Sequence, residues 1–164
     1  MNTNERSVAI KESLRKGFQN GTSKMAGRKC YGYDVSSDGT LAVSPEQATV
    51  VRWIFDQYLA GKSLGKIASG LELKGIPSPT GKVKWNREAI DKLLSNEKYT
   101  GRALLQKTLR IGYSQIENDG LIKRFLYEGT HEAIISDELF QAVQTEKEVR
   151  SKEAKNKFAM QPAF

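Results

Sequence analysis

Between residues 61 and 81 the chain places Gly61, Gly75, Pro77, Pro79 and Gly81. This spacing limits any helix there to about three turns, because proline cannot continue a helix and glycine readily takes its left-handed stop. Ser63 caps a helix predicted over Leu64–Leu73, with Leu64, Ile67, Ala68 and Leu71 inward and Gly75 as its end. Ile76–Trp85 must then be a loop. Asn86 caps the next helix, Arg87–Ser95, with Ile90, Leu93 and Leu94 inward. Its other face shows Arg87, Glu88, Asp91, Lys92 and Ser95.

The flanking segments follow the same local logic. Residues 3–20 read as a long N-terminal helix with a thin apolar face of Val8, Leu14 and Phe18, marginal by itself. Tyr31–Val35 and Thr40–Val43 flank Asp38-Gly39, a hairpin-turn signal. Ser44-Pro45-Glu46 starts a helix that runs to about Ala60, where Gly61 ends it. In it Val50, Val51, Ile54, Phe55, Tyr58 and Leu59 recur at helical spacing, and Trp53, Phe55 and Tyr58 read as core or flank, not as a base-stacking platform. Arg102–Leu109 and Leu121–Tyr127 read as an antiparallel ribbon turning at Asn118-Asp119-Gly120. Ser136 caps a last helix from Asp137, with Leu139, Phe140 and Val143 inward, and the charged stretch beyond Glu148 is expected to fray. The predicted class is α+β: a mainly helical domain with a helix-turn-helix-like pair and small β-hairpins.

Charge is distributed unevenly. The net charge of the chain is +7. Residues 1–30 carry a net +5 and residues 61–130 a net +6, whereas 31–60 carry −3 and 131–164 carry −1. Two positive blocks are what a polyanion would require. A helix about 10–12 Å across fits a DNA major groove about 12 Å wide. The second short helix would present Arg87 and Glu88 to base edges or phosphates, with Lys92 on the same face. Lys82 and Lys84 of the preceding loop would meet phosphates. That loop exceeds the about 3–4 residues of an ordinary helix-turn-helix, so the pair also fits a helical hairpin packed on a sheet. The polar stretch after residue 20 carries Lys24, Arg28 and Lys29. It reads either as a plain linker or as a flexible basic arm for a DNA minor groove.

Several chemistries are argued down. Cys30 and His131 are the only cysteine and histidine, too few for a zinc cluster, and a single cysteine allows no internal disulfide. His131 lacks a nucleophile partner in sequence and reads as a hydrogen-bonded structural residue. Gly61-Lys62-Ser63 ends like a phosphate-binding loop, but Asp56 stands where its first glycine belongs; Gly75…Gly81-Lys82 has the wrong spacing and continues with Val83. No catalytic residue, metal ligand or cofactor site is expected. No apolar run approaches the ~20 residues of a membrane span.

Taken together, these residues resemble a family. Gly27-Arg28…Tyr31-Gly32-Tyr33, Ser44-Pro45-Glu46 with Val51…Ile54-Phe55…Tyr58, and Ser63…Ile67-Ala68…Leu71…Gly75-Ile76-Pro77 follow in its order. Trp85…Leu93-Leu94-Ser95-Asn96…Tyr99-Thr100-Gly101 and His131-Glu132-Ala133-Ile134-Ile135-Ser136 continue it. The chain is similar, over about residues 5–150, to the central recombinase domain of large serine integrases. The resemblance implies a non-catalytic part of a site-specific recombinase from a phage or mobile element. A catalytic domain would precede it and a zinc ribbon would follow. The expected organisation is 1–20 as the end of an interdomain helix, 21–31 as a DNA-contacting linker, 32–150 as the DNA-binding domain and 151–164 as a tail. The implied partner is double-stranded DNA at an attachment half-site, with the whole protein a dimer or tetramer on DNA. The implied setting is cytoplasmic, bacterial or phage-encoded and nucleoid-associated. The alternative is a protein-interaction module that organises recombinase subunits through the first helix and the charged tail.

Overall fold

The first short helix, α3 (Leu64–Leu73), and the second, α4 (Arg87–Leu94), form where the sequence places them. The computed structural model describes residues 3–20, 29–105, 108–111, 114–117, 125–127 and 130–160. Helix α1 (Thr3–Asn20) comes first, then strands β1 (Tyr33–Val35) and β2 (Leu41–Val43), and helix α2 (Pro45–Leu59) precedes the short pair. After α4 come a 3-10 turn (Glu97–Thr100), strands β3 (Ala103–Leu105), β4 (Thr108–Ile111), β5 (Ser114–Glu117) and β6 (Phe125–Tyr127), and helix α5 (Asp137–Ala159). The class is α+β and mainly helical, as expected.

Helix ends obey their local signals. The Ser63, Asn86 and Ser136 side chains accept bonds from Lys66, Glu88 and Leu139 amides. Ser44 stands at the N-cap of α2 without a side-chain bond, leaving Pro45 to set the start. Both α2 and α3 end in the same motif. The Lys62 amide donates to the Gln57 carbonyl and Gly61 to Tyr58; Ile76 donates to Leu71 and Gly75 to Glu72. Each needs a left-handed residue after the cap, and Gly61 (φ 92°) and Gly75 (φ 68°) supply it.

The core lies between α2 and the elements packed on it, α3, α4 and α5. Ala48, Val51, Ile54, Phe55 and Tyr58 of α2 are buried, with Ile67, Ala68 and Leu71 of α3, Ile90, Leu93 and Leu94 of α4, and Phe140 and Val143 of α5. Trp53 is half-buried at the flank. Val8, Ile10 and Leu14 of α1 are exposed.

A second knot closes the other side. Tyr33 and Tyr99 are stacked at 6.1 Å and fully buried. Tyr33 donates to the Glu132 carbonyl at 2.7 Å, and Tyr99 donates to the Tyr31 carbonyl at 2.7 Å. The Tyr99 carbonyl accepts from both Ile134 and Ile135 amides, at 2.8 and 2.9 Å. Gly32 is required beside them: at φ +101° a Cβ would meet Ile134 Cδ1 at 2.9 Å. Desolvation holds both phenols protonated, their pKa values raised by burial.

Two expectations are corrected. The expected antiparallel pairing of the 102–109 and 121–127 stretches is present as β3 with β6 (Leu105 with Phe125), but the ribbon is not one hairpin, because β4 pairs with β5 between them (Leu109 with Ile116). The chain thus reverses after Ile111, earlier than the Asn118-Asp119-Gly120 signal, which lies outside the described residues. The stretch beyond Glu148 does not fray there but stays helical to Ala159.

What holds α5 explains its course. Gln144, Lys147 and Arg150 lie on one face, three residues apart. Gln144 donates to the Leu94 carbonyl at 2.7 Å, Lys147 pairs with Asp91 at 2.9 Å and also contacts the Ser95 hydroxyl. Arg150 donates to the Tyr58 carbonyl at 2.6 Å and the Lys62 carbonyl at 2.8 Å, with its guanidinium 3.9 Å from the Tyr58 ring centroid. Charge-assisted bonds to helix-end carbonyls are the stronger class. Arg150→Ala is therefore expected to cost about 1–3 kcal/mol in denaturant unfolding. Arg150→Lys should recover less than half of that loss, because an ammonium lacks the fork. Equal stability of Arg150→Ala and the parent would refute the clasp.

Candidate nucleic-acid interface

The long loop between α3 and α4 is folded, not slack. Trp85 is buried near its end; its indole N–H donates to the Ile76 carbonyl at 2.9 Å and its amide to Glu72 Oε1 at 3.2 Å. Ser78 and Lys82 exchange backbone and side-chain bonds across a turn at Pro79-Thr80, closed by Gly81. These bonds fix the path from one helix to the other despite the loop's length. They leave Lys82, Val83 and Lys84 exposed at its tip.

Trp85 also joins the loop to the segment at Tyr31. The Tyr31 and Trp85 rings meet edge to face at 5.5 Å. Lys29, exposed, lies two residues before Tyr31, and Lys84 one before Trp85. Residues distant in sequence thus converge beside α4. Lys24 and Arg28 lie outside the described residues.

On α4 the exposed face is narrower than the sequence reading. Asp91 and Ser95 face Lys147 of α5 and belong to the packing of that helix. Lys92 is exposed but pairs with Glu88 at 2.9 Å, one turn earlier. Such an exposed pair contributes little to stability and can open toward another anion. Arg87 does not extend from the first turn. Its guanidinium lies across α3, where a Cβ on Gly65 would stand 3.0 Å from Nη2 and 3.1 Å from Nε. Lys62 and Lys66 flank the same place and line the groove with Arg87. Sequence reasoning weighed Lys62 only as part of a failed phosphate loop and passed over Lys66. The usable signal was a lysine on each side of the Ser63 cap, one just before it and one in the first turn of α3.

His131 is structural, as expected. Nε2 donates to the Lys98 carbonyl, which fixes the tautomer, and Nδ1 lies 2.7 Å from the Thr130 hydroxyl. Its ring packs edge-on to Tyr33 at 4.9 Å. Among the described residues no group of three His, Cys, Asp or Glu could hold a metal, and no helix is long and apolar enough to cross a membrane.

The geometry defines a helix-turn-helix-like α+β module with cations gathered on the α3–α4 side. The Recombinase family model matches residues 45–150, and the chain belongs to this family, the recombinase domain of large serine recombinases. Two solved structures are similar. One is "Crystal Structure of a LSR-DNA Complex", at TM-score 0.50 and 23% identity over 73% of this chain and 32% of that one. The other is "Sequence Requirements of the Listeria innocua prophage attP site", at TM-score 0.55 and 22% identity over 81% of this chain and 51% of that one. This chain spans about a third and about half of the lengths of those two chains. At these identities the likeness establishes the fold.

Burial lowers the His131 pKa below its ordinary 6.5. The unfolded chain therefore binds the proton more readily than the folded one. The resulting stability is present above the ordinary histidine range and is lost as pH falls through the folded value. Unfolding free energy should thus decline on acidification across that range, and His131→Gln should flatten the decline. Parallel pH profiles for the two proteins would count against this assignment.

Proposed function

We propose that this chain is the DNA-gripping module of a site-specific serine recombinase and binds the part of an attachment half-site nearer the crossover. The Tyr31–Trp85 contact, which brings the segment beginning at exposed Lys29 to the loop of exposed Lys82 and Lys84 just before α4, carries the reading. Lys82, Lys84 and Lys29 neutralise backbone phosphates. Lys24 and Arg28 extend that contact along the minor groove. Helix α4, with Lys92, faces the major groove, and Arg87 contacts DNA from where it lies over α3. Cutting is assigned to another part of the whole protein, because His131 is committed to the Lys98 carbonyl and so is not placed as a general base. Helix α1 acts as the end of an interdomain helix, and the whole protein works as a dimer or tetramer on DNA. The similar chain solved as an LSR–DNA complex supports the choice of partner.

The test begins by enriching a half-site from a random duplex pool, then titrating it and a scrambled duplex at several salt concentrations. Affinity should fall steeply with salt, and the enriched site should bind more tightly. Lys82→Ala with Lys84→Ala should weaken both duplexes alike and lower the log–log salt slope by about 2, one per phosphate contact. Equal affinity for both duplexes removes the half-site claim, and no binding at low salt removes DNA as the partner.

A further inference from the structure

The first turn of α3 holds an arrangement that packing does not explain. Arg87 begins α4, yet its guanidinium lies against Gly65, close enough that a Cβ there would make it give by a few tenths of an ångström. The amino end of a helix carries partial positive charge. A guanidinium laid beside it, between Lys62 and Lys66, is an accumulation of like charge. Arg87, Lys62 and Lys66 form no ion pair among the described residues. The nearby carboxylates are engaged elsewhere: Glu88 with Lys92, Asp91 with Lys147, and Glu72 with the Trp85 amide. These cations line an open groove of about 570 Å³, with Trp53 of α2 as its wall and Ser69 on its floor. No Asp or Glu lines it among the described residues.

We infer that this groove is a clamp for one phosphodiester of duplex DNA, with Arg87 as a backbone ligand and not a base reader. The assignment rests on the DNA-binding reading above and refines it. A guanidinium can grip two phosphate oxygens at once, and lysines on either side add charge without directional demand. The placement suits the docking of a helix pair, in which the first helix crosses the backbone while the second enters the groove. Gly65 then suits the site in two ways: it lets the guanidinium lie close to α3 and leaves room for a phosphate to approach the helix backbone. Lys62 and Lys66 join the DNA-contacting set.

Ser69 offers a clean test, because it is exposed and its hydroxyl bonds only to the Gly65 carbonyl of its own helix among the described residues. Ser69→Glu puts a carboxylate on the groove floor; Ser69→Gln adds similar bulk without charge. Each is titrated by fluorescence anisotropy against a labelled mixed-sequence duplex, with thermal melts to verify folding. Ser69→Glu should bind at least about tenfold more weakly than Ser69→Gln, which carries the same bulk, and lower the salt slope by about 1 relative to it. Arg87→Ala should weaken the enriched and scrambled duplexes by the same factor, and this arm stands even if Ser69→Glu fails to fold. Salt-sensitive binding by the parent with an indifferent Ser69→Glu overturns the clamp alone. So does an Arg87→Ala loss confined to the enriched site, which would make Arg87 a base reader. A parent chain that binds no duplex at low salt overturns the clamp together with the DNA reading.

Discussion

The Leu94 carbonyl at the end of α4 needs a partner, and one face of α5 supplies it while adding a second donor to the Tyr58 carbonyl at the end of α2. A helix leaves its last carbonyls without intrahelical donors, and burying them unsatisfied is costly. Gln144 answers the end of α4, and Arg150 answers the end of α2 and the turn after it. Lys147 adds the Asp91 carboxylate between them. These contacts hold α2 and α4 at a fixed separation. Helix α3, packed on both, inherits its position from them. The groove between Trp53 and Arg87 exists because that frame is set from behind by α5, on residues that take no part in the groove.

The tyrosine knot does the same for the chain that leads in. Tyr33 and Tyr99 bury large rings and still satisfy their hydroxyls, which is the condition for placing a phenol in a core. Truncating either would cost about 3–5 kcal/mol by the usual measure of an aromatic core deletion. Through the Tyr31 carbonyl and the Tyr31–Trp85 contact, the knot fixes where residue 29 leaves the domain. The segment beginning at Lys29 is thus tied to the loop carrying Lys82 and Lys84, as the proposed contact of both with one stretch of DNA requires.

Local chemistry made much of this legible. Caps, left-handed glycines and apolar periodicity act over a few residues, so Ser63, Asn86, Gly61, Gly75 and the inward faces of α2 to α5 could be read directly. Long-range side-chain contacts could not. Arg150 meets residues 88 and 92 positions away, and nothing in a charged stretch distinguishes it from a solvated lysine. The same blindness made the segment beyond Glu148 look like a tail. The ribbon misled for another reason: Asn118-Asp119-Gly120 is the stronger turn signal, yet β4 and β5 are joined by two residues that include Gly112, a spacing that itself makes a hairpin. The whole-chain resemblance succeeded where individual motifs were weak, because order and spacing carry information that single residues do not.

The candidate interface shows where pattern reading stops being enough. On a helical wheel Arg87 belongs to the exposed face of α4, alongside Glu88 and Lys92. In the folded chain the three have different fates. Glu88 and Lys92 neutralise each other, Asp91 is held by α5, and Arg87 folds back over Gly65. A wheel treats a side chain as pointing outward from its own helix, but a long arginine reaches about as far as a neighbouring helix, and a glycine there gives it a place to lie. The net positive charge of the α3–α4 region is therefore concentrated less on the helix that would enter a groove than on the helix that would cross the backbone. In the proposed mode of DNA binding that division separates gripping from reading: the cations assigned to the phosphates sit where sequence is invisible, and the α4 face left for base contact is small and nearly neutral.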